Sequence, residues 1–256
     1  MTTTTATTTT TTTTDRRAAA ATLLAAAGCA IVGFSGLGAA FDYPAILDEP
    51  TAEILAAYRR QEAAVTTWFA VLVLGAALLA PIAILLGRLA STVRARRTIT
   101  ALGVAAAAVQ VVGLSRWLLL VPGISDDALD PARTADAHHR FELAHSWLGH
   151  AVGETLGYAL TAAFTIATVR GLAALPRWIR ILGITAAALV ATGIVVPLGV
   201  EIASLTNFVG YLLWTAWVVC LAVHLVRSRQ GTGATSNDGV AIDESARVGS
   251  SEWGMA

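Results

Sequence analysis

Six stretches of this chain are each long and apolar enough to cross a bilayer, and that pattern leaves few folds open. A spanning helix needs about 20 mainly apolar residues, because each adds about 1.5 Å of rise to a path of roughly 30 Å. Residues 18–41, 63–87, 99–121, 141–169, 181–200 and 207–226 meet that requirement. Inside hydrocarbon the backbone must satisfy its own hydrogen bonds, so stretches of this length read as helices. The composition agrees, with 55% hydrophobic and 13% charged residues, where a soluble domain carries about a quarter charged. The expected fold is all-α: a polytopic integral membrane bundle of six transmembrane helices, with the lipid bilayer as its first partner.

Arginine sets the orientation, since all 17 basic residues are Arg. Arg16, Arg17, Arg88, Arg94, Arg96, Arg97, Arg170, Arg177, Arg180, Arg227 and Arg229 fall on one side of a six-span arrangement. Arg59, Arg60, Arg133 and Arg140 fall on the other, diluted by Asp and Glu. Arg-rich short loops stay inside, so both termini are expected in the cytoplasm. Arg16 and Arg17 ahead of an apolar run also fit a signal peptide, but the run is longer than a signal core. Residues 1–17, almost all Thr, and 227–256, rich in Gly, Ser and acids, lack apolar periodicity and read as disordered tails around a membrane domain at 18–226. A net charge of zero argues against a nucleic-acid partner. Cys29 and Cys220 have no metal-ligand or redox spacing and read as inert.

The fourth span carries the feature that bilayer physics does not explain. Its residues 145–158, HSWLGHAVGETLGY, place ionisable groups where a charge costs about 2.5–3.5 kcal/mol. At 100° per residue, His145, Gly149, His150, Gly153, Glu154 and Gly157 share one stripe. Glycines spaced by four admit a neighbouring backbone, so the stripe is expected to face protein rather than lipid. By helical rise, His150 lies on the order of 10 Å below the outer interface and Glu154 near the midplane. Arg116, near the outer end of the third span, falls level with His150, within reach of Glu154 or Glu142.

Arg116, Glu142, His145, His150 and Glu154 thus form an expected intramembrane polar cluster, with Gly149, Gly153 and Gly157 as packing residues. One reading is structural, with Arg116 paired to Glu154 or Glu142 and the histidines bonded across helices. The other makes the cluster an outward-facing pocket for a proton, an ion or a small polar ligand. On that reading the protein is a small transporter-like or ligand-sensing unit and not an enzyme. Two alternatives stand beside it: a membrane-embedded enzyme using His145 or Glu154 as acid or base, and a partner subunit docking through its glycine face. No catalytic residue, cofactor or metal is assigned. His138, Glu142 and His145 have ligand-like spacing, but His139 beside them suggests a solvated run. His224 lies at the opposite depth from His145 and His150, against a bis-histidine haem.

Two outer connections have content of their own. In residues 41–63, Pro50 precedes a segment whose Ile54, Leu55 and Tyr58 share a face, the pattern of a short amphipathic helix on the outer surface, read as a packed connector that caps the bundle in preference to a lid for a site. Trp68, Trp117, Trp147 and Tyr43 are expected to mark the outer interface and Trp178 the inner one. Trp214 and Trp217, within the last span, read as packing.

FDYPAIL at 41–47, RWLLLVP at 116–122 and HSWLGHAVGETLGY at 145–158 together resemble an actinobacterial branch of the uncharacterised membrane family of domain of unknown function 4386 (DUF4386). The likeness covers roughly residues 18–226. It implies a multi-pass protein of a bacterial plasma membrane and no particular activity. Arg116, His145, Gly149, Gly153, Glu154, Gly157 and Tyr158 stand at motif positions of the family, whereas His138, His139 and His150 do not, which weakens a metal reading.

Overall fold

Helix formation runs past the apolar stretches wherever a cap or a proline does not stop it. The computed structural model describes residues 4–198 and 200–228, and its long elements are α1 (Thr4–Phe41), α2 (Thr51–Arg60), α3 (Glu62–Arg88), α4 (Val93–Asp127), α5 (Thr134–Gly171), α6 (Arg177–Val196) and α7 (Glu201–Arg227). Among the described residues, six helices are long and apolar enough to cross a membrane, every one of these except α2. The chain is an all-α, multi-pass membrane protein.

The boundaries depart from the sequence reading for local reasons. α1 begins at Thr4, so residues 4–17, expected as a disordered tail, continue the first helix. Extending a helix already nucleated by its apolar part is far easier than starting one. α4 starts six residues before the expected 99, where the Thr92 hydroxyl accepts the Ala95 N–H at 3.1 Å and caps it. The tail expected at 227–256 lies outside the described residues from 229 onward. α3 breaks at Leu78, one residue past the carbonyl that the Pro81 ring displaces. α4 breaks at Leu120, and Pro122 enters the first turn of its last segment, a position that spares a hydrogen bond.

The helices follow one another around a ring in which each packs on its chain neighbours and α7 returns to α1. At the arginine-rich end, Arg88 pairs with Asp15 at 3.2 Å, Arg16 donates to Ser228 at 3.0 Å and Ser91 donates to the Gly171 carbonyl at 3.1 Å. This end is inner by the arginine rule. Above it lies a mainly aliphatic core of Leu23, Leu86, Ile99, Ile179 and Leu221 with the ring of Phe164, joining all six spans. Leu24, Ile31, Leu74, Ile84, Ile181 and Leu212 are exposed around the ring and form the lipid-facing surface.

The outer end is closed differently. α2 buries Ile54, Leu55, Ala57 and Tyr58, so it packs as a connector that caps the bundle. Arg59 ties it to the Ser125 carbonyl at 2.9 Å. Beneath it Phe41, Tyr58, Phe69, Trp117 and Phe141 form an aromatic core, with the Phe69 and Trp117 rings stacked 4.8 Å apart. Trp117, expected at the interface, is fully buried because α2 covers it. Trp147 and Trp178 are exposed, and Trp217 is buried. α1 contributes to both cores, which makes it part of the bundle.

Candidate functional site

The stretch singled out above leaves the α-helical register. His145–Leu156 form a π-helix of 12 residues inside α5, whereas such segments are ordinarily one turn long and concentrate at functional sites. Bonding from i to i+5 turns the chain through less than the 100° per residue assumed earlier. A spacing of four residues survives the change, falling just short of one wide turn instead of just past one narrow turn. Gly149, Gly153 and Gly157 therefore still form a stripe.

That stripe meets α4. A Cβ on Gly149 would lie 2.9 Å from Nη2 of Arg116, one on Gly153 3.1 Å from Gly113 Cα, and one on Gly157 3.3 Å from Gln110 Cγ. Gly113 reciprocates, since a Cβ there would stand 2.5 Å from Gly153 Cα. Two backbones touch where neither helix carries a side chain, as small residues allow inside membranes. The glycine face is thus filled by the chain's own α4, which corrects the reading of a face free to dock another protein.

Arg116 is 5% exposed. Its Nη1 donates to the Gly113 carbonyl at 2.6 Å, and its guanidinium carbon lies 5.5 Å from the centre of the Trp117 ring. Neither Glu154 nor Glu142 pairs with it; among the described residues Arg116 makes no ion pair. Glu154 is engaged on its own helix, where its Oε2 lies 2.9 Å from Nδ1 of His150. Glu142 is exposed and accepts the Thr51 hydroxyl at 3.2 Å, at the start of α2. It belongs to the outer cap and not to the cluster, because the helix carries it above the aromatic core.

The two histidines sit on the aromatic core. The His145 ring lies parallel to Phe141 at 5.7 Å and edge-on to His150 at 4.5 Å. Its Nδ1 is buried with no hydrogen-bond partner among the described residues. The His150 and Glu154 side chains keep 41% and 23% of their surface. Arg116, His145, His150 and Glu154 are thus brought together, while Glu142 is not. His138 and His139 lie in the first turns of α5, and His224 in the last turn of α7 at the inner end.

Other members of the site were not placed in the cluster by sequence reasoning, although Tyr43 and Tyr158 were named there for other reasons. Gly113 precedes Arg116 by three residues on the same face of α4, a signal that needed the partner helix to become meaningful. Tyr43, expected as an interface anchor, packs its ring 5.5 Å from Phe69 and 6.1 Å from Phe34. Burial pushes its hydroxyl up to about 12, opposed by Arg116 and reinforced by Glu154, which places the phenol in the field of the cluster. Tyr158 meets Tyr211 edge-on at 5.7 Å, and Gln110 donates to Thr161 at 2.8 Å. These groups continue the polar track inward along α5.

The family model described as "Domain of unknown function (DUF4386)" matches residues 18–229. The chain belongs to this family. No curated protein and no solved structure matches it. The family's description names no activity, so the chemistry has to be read from the site itself.

Proposed function

We propose that the protein is a small transporter-like or ligand-sensing unit of a bacterial plasma membrane, in the actinobacterial branch of its family. On this reading it is not an enzyme. Its site is the cluster of Arg116, His145, His150 and Glu154, open toward the outer side, and it takes a proton, an ion or a small polar ligand.

The observation that carries this reading is the partial exposure of the His150–Glu154 pair at membrane depth beside a closed-in Arg116. Ionisable groups turned toward acyl chains cost several kcal/mol, about 2.5–3.5 per charge, so such groups face water or polar partners. A pair sealed for structure alone would be expected to lose its exposure as Arg116 has. The twelve-residue π segment supports the same reading, because that geometry is kept where it serves a site.

Infrared difference spectroscopy on the full chain in nanodiscs tests the reading without a known substrate. Lowering the buffer pH should produce a protonated-carboxyl band that is missing in Glu154→Gln, with folding unchanged. A band that is identical in the variant, or a variant altered only in thermal stability, would reduce the cluster to a structural network.

A further inference from the structure

The polar groups of the cluster do not satisfy one another, and the remainder points to a ligand class. Glu154 is taken up by His150, so the acid nearest to Arg116 along the bundle is already engaged. A guanidinium has five N–H donors in a planar fork. Here one of them meets the Gly113 carbonyl, and no other protein acceptor for Arg116 is found among the described residues. The group is nevertheless 95% withdrawn from its surroundings, at 5% exposure. A buried cation that no carboxylate contacts directly is disfavoured unless further polar groups meet its free donors, and Glu154 acts on it only at longer range.

The surroundings of the fork are shaped as well as charged. Gly149 presents bare backbone beside Nη2, where a Cβ would stand 2.9 Å away. The Trp117 ring covers another side, with the guanidinium carbon 5.5 Å from its centre. His145, within electrostatic range of Arg116, buries an Nδ1 that has no partner among the described residues. A guanidinium with one protein acceptor and an imidazole nitrogen with none therefore belong to the same cluster.

We propose that Arg116 is the anion-binding residue of this site and that its ligand is a small monocarboxylate, held by the guanidinium fork with His145 Nδ1 as a second polar contact. A carboxylate presents two coplanar oxygens at the spacing of two parallel N–H bonds, which a spherical halide does not. A carboxylate also supplies the direct contact that no protein carboxylate makes with this guanidinium. The Gly149 backbone and the Trp117 ring close two sides of the guanidinium, so a ligand has only the remaining side to approach from. This inference rests on the reading of the cluster as a ligand site and adds to it the identity of the ligand's charged group.

Thermal unfolding of the full chain in nanodiscs, at fixed ionic strength, provides the test. Acetate should raise the unfolding temperature in a saturable way, since a ligand bound to the native state stabilises it by mass action. Chloride and the neutral isostere acetamide should not. Arg116→Gln should weaken the apparent acetate affinity at least about tenfold, as loss of a charge-assisted contact does. Arg116→Lys keeps the charge but not the fork, and should lose the preference for acetate over chloride. If Arg116→Gln does not fold, Arg116→Lys decides. An acetate response no larger than that of chloride or acetamide, or an acetate preference that survives Arg116→Lys, overturns the proposal. The two readings fail separately, because the Glu154 infrared band can persist in a protein with no acetate response.

Discussion

The inner and outer halves of this bundle solve the same packing problem with different materials. The inner half is filled by aliphatic side chains drawn from all six spans, and its glycines face side chains. Gly103, for instance, faces Ala83 and Phe164. The outer half joins α4 to α5 backbone to backbone at Gly113 and Gly153, covers the joint with stacked aromatic rings, and sets the ionisable groups beside it. Side chains can shift by a rotamer, whereas two touching backbones cannot. The outer joint is therefore rigid by construction, which is what a site that must hold a buried arginine in one place requires.

That contrast can be broken by substitution, and the largest effect is expected in the outer half. Trp117→Ala removes the ring that touches Phe41, Tyr58, Phe69 and Phe141 and should cost about 3–5 kcal/mol, read as a fall in unfolding temperature. Gly113→Leu must push α4 from α5, because its Cβ alone would stand 2.5 Å from Gly153 Cα. We expect a loss of about 3 kcal/mol together with loss of the Glu154 infrared band. Phe164→Leu in the inner core trims a ring next to movable side chains. It should cost about 1 kcal/mol and leave that band unchanged. A Phe164→Leu protein that lost the band would show that the two halves are not separate.

The smallest expected effect concerns the outer cap. The Ala132 N–H and then the Arg133 guanidinium hold the Asp130 carboxyl below the usual carboxylate range. A carboxyl depressed in the folded state contributes stability above its unfolded value of about 3.9, and the contribution is lost as pH falls through the lower folded value. Hydrogen exchange of residues 126–134, corrected for intrinsic rates, should stay flat from neutral pH down to about 4 and rise only below it. A rise beginning well above that range would mean that the cap is held by something other than these bonds.

Much of the fold was legible because hydrocarbon imposes a length and a polarity on whatever crosses it. Six stretches met both, and six helices among the described residues are long and apolar enough to cross. The ends were less legible, since Thr92 and Pro122 act through local backbone geometry that hydropathy does not register. The site was legible in outline: the stripe in residues 145–158 names the helix and the residues on it. Its pairings were not, because Arg116 could reach Glu154 or Glu142 by length alone and takes neither. Trp117 was misplaced for a related reason, as nothing in a linear chain shows that α2 folds back over it.

By itself, then, the order of residues settled that this is a multi-pass helical membrane protein, which end of it is rich in arginine, and which helix carries charge where charge is expensive. Those properties depend on each segment's own exchange between water and lipid. Only the tertiary structure decided that Gly113 meets Gly153, that His150 takes Glu154, and that Arg116 is left without a carboxylate partner. Those depend on how two helices approach to within contact distance, a matter of a few tenths of an ångström that the sequence of one helix does not contain.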